Sequence, residues 1–146
     1  MTVATREQII NALLVRLSAS GQFKTIGRRN RNTESIPPHE TPALLLVQHS
    51  EKYARPAINL PPKRTISLRA IVYSDVGGNE NAIPASVINN LVDAIDTAMI
   101  PDDPASQRCT LGGLVYSALI EGDVIEAPGD VTGKGLAIVP IQILIP

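Results

Sequence analysis

The chain of 146 residues has no tryptophan, one phenylalanine and three tyrosines, so aromatic residues are 3% of it. Phe23, Tyr53, Tyr73 and Tyr116 are too few and too scattered to build the stacking platform that binds single-stranded nucleic acid. Cys109 is the only cysteine, which excludes an intrachain disulfide and a cysteine-rich metal site. His39 and His49 are the only histidines, and both fall in or beside loop-like stretches. A metal centre needs several converging ligands, so no metal and no cofactor is expected. Long hydrophobic runs are also missing. "LGGLVYSALI" and "LAIVP" fall far short of the ~20 residues a membrane span requires. The start, "MTVATREQII", meets Arg6-Glu7 before an apolar segment of signal-peptide length can form. The expectation is a soluble protein made in the cytoplasm, with no membrane partner.

What is present is an aliphatic core and a divided charge. Hydrophobic residues make up 44% and charged residues 18%, enough apolar material for one domain spanning residues 1–146. The net charge of −1 conceals an asymmetry. Residues 1–73 hold eleven Lys or Arg against four Asp or Glu, and residues 74–146 hold two against ten. The two halves either neutralise each other within the fold or meet between neighbouring copies. A head-to-tail contact needs two different, complementary surfaces.

Periodicity gives a coarse layout. Thr5 and Gln8 form a capping box, and Ile9, Ile10, Leu13, Leu14 and Leu17 then recur at helical spacing until Gly21. A short strand around Phe23–Thr25 and an apolar strand over Ala43–Gln48 are expected, separated by the proline-containing loop "NTESIPPHETP". In "RTISLRAIVYSD", Ile66, Leu68, Ala70 and Val72 share one face and Thr65, Ser67, Arg69, Ile71 and Tyr73 the other. Pro84 opens a second helix, whose apolar face is Val87, Ile88, Leu91, Val92 and Ile95. Strands over Leu111–Glu121 and Leu136–Ile145 close the chain, joined by the exposed connection "EGDVIEAPGDVTGKG". Pro140 cannot donate to a ladder, so the last strand is expected at an edge or with a bulge. The order predicts an α+β two-layer sandwich: a mostly antiparallel sheet of four to five strands with two main helices.

No catalytic constellation is legible. The pairs Gly77-Gly78 and Gly112-Gly113 fit neither a P-loop nor a dinucleotide-binding fingerprint, and no G-x-S-x-G elbow is present. Gly112 and Gly113 interrupt a strand-like run, so a bulge, a positive φ or close approach of another backbone is expected at the strand's start. "GRRNR", Gly27–Arg31, is the most basic stretch, suited to phosphate, to an acidic protein surface or simply to solvent. Arg28, Arg29, Arg31, Lys63 and Arg64 are therefore the candidate cationic half of an interface. Glu121, Asp123, Glu126 and Asp130 are the candidate anionic half; between glycines such residues are far more often a solvated face than an acid–base pair or a calcium site.

The segments "REQIINALLVRL", "TPALLLVQ", "RTISLRAIVYSD", "IPASVINNLVDAIDTAM", "TLGGLVYSALIEGDV" and the ending "AIVPIQILIP" resemble, in that order, the tail terminator proteins of long-tailed bacteriophages. These are also called tail completion or lambda-type minor tail proteins. The chain departs from that pattern in having no Trp in its third-strand region or in "VYSALIEG". The resemblance implies a non-enzymatic virion protein, an α/β sandwich that forms a ring, commonly a hexamer, on the end of the tail tube. Such a ring stops tube polymerisation and offers a surface for joining the head. The implied partners are further copies of the chain, the tail tube protein and a head–tail connector protein. DNA would pass the lumen without sequence-specific binding. The alternatives are another head–tail connector or neck protein, and a small enzyme whose site is scattered in the sequence.

Overall fold

Helix α1 (Arg6–Ser18) begins where the sequence places its cap. In the computed structural model, which describes residues 4–145, Thr5 Oγ1 accepts the Gln8 N–H at 3.2 Å and Gln8 Oε1 accepts the Thr5 N–H at 2.8 Å. Two orphan backbone donors are thus satisfied reciprocally. Ile9, Ile10, Leu13 and Leu17 are buried, while Leu14 is only partly so. Helix α2 (Pro84–Ala98) has Pro at its first position and buries Ile88, Leu91 and Ile95. Arg16 ties the two helices together. Its guanidinium donates to the carbonyls of Ala98 and, at 2.6 Å, Ile100, where α2 ends and its last carbonyls lack helical partners.

The sheet has six strands: β1 (Thr25–Gly27), β2 (Ala43–Ala54), β3 (Lys63–Asp75), β4 (Ser117–Ile120), β5 (Ile125–Ala127) and β6 (Lys134–Ile145). Their order is β1-β2-β3-β6-β4, and β5 also pairs with β6. Only β1–β2 is parallel; the other pairs are antiparallel. Leu44, Leu46, Ile66, Leu68, Ala70, Val72, Val139 and Ile141 alternate onto one face and cluster there with the apolar faces of both helices. The architecture is α+β, with both helices on one side of the sheet. Among the described residues no helix is long and apolar enough to cross a membrane.

Four expectations change. The β2–β3 hairpin is longer than "ALLLVQ" indicates: β2 runs to Ala54, past a register shift at Gln48–Ser50. That second half is polar and exposed, so hydrophobicity could not mark it. The strand expected over Leu111–Glu121 shrinks to Ser117–Ile120, and part of the expected connection becomes β5. Pro140 sits in a central strand, not at an edge. Its carbonyl accepts from the Glu121 N–H at 3.2 Å, so its ring nitrogen faces the same neighbour. That neighbour is broken between Ile120 and Ile125, and no ladder donor is wanted there. Gly122 lies over the ring; a Cβ there would come 3.2 Å from Pro140 Cγ.

The other sheet face carries a second, smaller cluster of Ile36, Ala43, Leu45, Ile71 and Tyr73. It is roofed at one end by residues 31–42, which include single 3-10 turns at Thr33–Ser35 and Pro38–Glu40. Towards the β2–β3 hairpin the same face is open, presenting Ser50, Ser67, Arg69 and Gln142.

Candidate functional site

The basic stretch Gly27–Arg31 leaves the end of β1, and its arginines are largely engaged. Arg28 forms a two-pronged pair with Glu7 at 2.6 and 3.0 Å and reaches Gln48 Oε1 at 3.2 Å. The Arg28 hydrogen bonds hold the Glu7 carboxyl below the usual carboxylate range. Arg31 pairs with Glu40 at 3.0 Å and donates to the Ser35 carbonyl at 2.9 Å. The Tyr73 hydroxyl donates to the Arg31 carbonyl at 2.8 Å, fastening the stretch to β3. Burial pushes that phenol's pKa up. Arg29 is exposed and, among the described residues, makes no ion pair.

Lys63 and Arg64 lie elsewhere, at the loop end of the β2–β3 hairpin, with Lys52 on its other strand and Arg55 in the connecting loop. None of the four is in an ion pair among the described residues. Glu51 is taken by Arg6, whose hydrogen bonds hold its carboxyl below the usual range, and Arg64 adds to that effect from beyond pairing distance. The hairpin tip exposes Ile58 (89%) and Leu60 (50%). Beneath it, between the hairpin and the end of β6, is a cleft of about 620 Å³.

Glu121 and Asp123 occupy the break between β4 and β5, Glu126 is in β5, and Asp130 is in the turn before β6. All four are exposed and, among the described residues, unpaired. β5 lies at the opposite edge of the sheet from β1, and its ladder is with β6 alone. Ile125 (59%) and Val124 (36%) are exposed between the acids. The structure therefore brings the four carboxylates to one edge and separates the five cations into two places.

Gly112 and Gly113 stand five and four residues ahead of β4, in a turn, not at the start of a strand. Their φ values are 72° and 91°, and Leu111 is also positive at 52°. A Cβ at either glycine would meet nothing within 4 Å, so backbone conformation, not close approach, is what calls for glycine. Asp102 organises this turn. Its carboxylate accepts from the Gly112 N–H at 3.0 Å and from the Thr110 N–H and hydroxyl at 2.7 and 2.9 Å. Arg16 is 3.7 Å away. The bonds from Gly112 and Thr110 bring the Asp102 pKa down to about 2. Nothing local in "PDDPASQ" singles out Asp102, because its partners are eight and ten residues further on.

His49 and Cys109 line separate clefts, one on the open sheet face and one beside β4. His49 Nε2 is 3.4 Å from an Arg69 guanidinium nitrogen, and Cys109 is buried. Among the described residues no three of His, Cys, Asp and Glu converge on a possible metal position.

No protein-family model matches the chain, and no curated protein matches it significantly by sequence. A chain in the solved structure "Virion of native gene transfer agent (GTA) particle" shares its fold, with a TM-score of 0.56. The identity is 9%, and the match covers 99% of this chain and 98% of that one.

Proposed function

We propose that this protein is a virion structural protein that acts as a tail terminator: a ring, six copies in the simplest reading, seated on the end of a tail tube. The observation that carries the reading is the full-length fold likeness to a chain of a virion particle, spanning nearly all of both chains. The order of sequence segments resembling tail terminators points the same way. In this role the protein works by occupancy rather than catalysis. It covers the growing end of the tube and presents a new surface for the head.

The surface chemistry supports self-assembly. A ring is built from heterologous contacts, which need two unlike surfaces on every copy. Among the described residues, this chain carries unpaired cations on the hairpin and unpaired carboxylates on the β4–β5 edge. Rings in this role leave a lumen through which DNA passes without sequence-specific contact.

The test is to add purified protein to a tail tube protein as it polymerises and to measure tube length by electron microscopy. Tubes should stop growing, with the protein at one end. Unchanged tube growth together with binding to portal or adaptor proteins would replace this reading with that of a neck connector. Light scattering should give a mass near six subunits that falls as salt rises, since exposed ion pairs are screened over about 10 Å at 0.1 M salt.

A further inference from the structure

We infer that the cleft beneath the β2–β3 hairpin receives the acidic Asp123–Glu126 segment of a neighbouring copy. The inference rests on the self-assembling role proposed above and assigns its contact. Ala54, Leu60, Pro62, Tyr116 and Leu144 give the cleft an apolar floor, and Lys52, Lys63 and Arg64 stand at its rim. Among the described residues, no carboxylate side chain lines it. Arg108 stacks on the Tyr116 ring at 4.0 Å and helps fix that ring, its own charge being shared with Asp103 at 3.9 Å. An apolar floor with a cationic rim selects a segment that carries exposed aliphatic side chains and negative charge together.

"DVIE" has that composition. Asp123 and Glu126 flank Val124 and Ile125, and all four are exposed. A chain cannot fill its own cleft this way. Ile125 is held opposite Ile138, whereas the cleft lies at Leu144, six residues along β6. At about 3.3 Å per residue that is a separation of ~20 Å. The contact is therefore between copies and joins two different surfaces, which is the kind that closes into a ring. A nucleic-acid phosphate would satisfy the rim but leave the apolar floor and the exposed Ile58 uncovered.

The experiment is light scattering on four chains: wild type, K63E/R64E, D123K/E126K, and the chain with all four changes. Wild type should assemble at low salt. Each double variant should self-associate at least about tenfold more weakly and run as a single chain where wild type is assembled. The fourfold variant restores opposite charges across the contact and should assemble again, which a folding defect would not permit. If both double variants assemble like wild type, the cleft is not the self-contact, although the ring itself stands. That holds equally if they lose tube protein binding instead. If the doubles are monomeric and the fourfold variant stays so, the two surfaces do not meet each other. A wild type that is monomeric at every salt and concentration overturns both this inference and the ring.

Discussion

Arg28 and Arg31 are bound into the body of the protein, whereas Lys52, Arg55, Lys63 and Arg64 stand on a projecting hairpin without ion-pair partners among the described residues. The acids divide the same way. Asp102 is spent on the turn at Thr110–Gly113, while Glu121, Asp123, Glu126 and Asp130 face outward. Density of charge along a chain is therefore a poor guide to charge available for a partner. "GRRNR" is the more basic stretch in sequence, yet the hairpin offers more free cations.

The comparison breaks most visibly where the first basic stretch is fastened. Ile36, within residues 31–42, is 3% exposed against Leu45, Ile71 and Tyr73. Ile36→Ala should cost about 2–5 kcal/mol, from lost transfer energy and the cavity left behind. Urea unfolding would read it, together with faster proteolysis within residues 31–42. A loss confined to the rest of the fold would show that Ile36 does not hold this segment.

Asp102→Ala should come next, at about 1.5 kcal/mol for a partly solvated charged acceptor. The pH dependence has a definite sign. The folded-state pKa is depressed to about 2, so the contribution is present above the ordinary carboxylate range. It is lost as the pH falls from about 4 to about 2. Wild type should lose stability over that window, and the variant should show a flatter acid limb.

Glu7→Gln removes Arg28's principal partner at an exposed site, so the destabilisation should be small and should fade in high salt. Least of all, Lys63→Gln with Arg64→Gln should change stability by no more than about 0.5 kcal/mol, because neither side chain holds the fold together. The same pair should still weaken self-association. A large drop in melting temperature there would erase the distinction between engaged and free cations.

The capping box at Thr5–Gln8, the apolar stripes of both helices and the alternation of Ile66 to Val72 were legible in the sequence. Each depends on residues within a turn or two of one another, where spacing and geometry are directly linked. The glycine pair was half legible: positive φ was readable from residue type, but the turn's true cause, Asp102, was not. The exposure of Glu121, Asp123, Glu126 and Asp130 was also legible, because charge and glycine coincide in that stretch. Of the five candidate cations, Lys63, Arg64 and Arg29 are in no ion pair among the described residues, whereas Arg28 is neutralised by Glu7, 21 residues away, and Arg31 by Glu40 across a folded loop, pairings that no local spacing shows.

By itself the sequence determined both helices and the buried faces of the apolar strands, since those follow from periods of 3.6 and 2.0 residues; the exposed half of β2, the short β4 and β5 carry no such pattern. Tertiary structure alone decided the strand order that makes β6 central and lets Pro140 face a gap. It alone decided which charges cancel within the fold and which remain for a partner. Pairing partners are chosen by three-dimensional proximity, and a linear pattern of hydrophobicity and charge carries no distance between residues far apart along the chain.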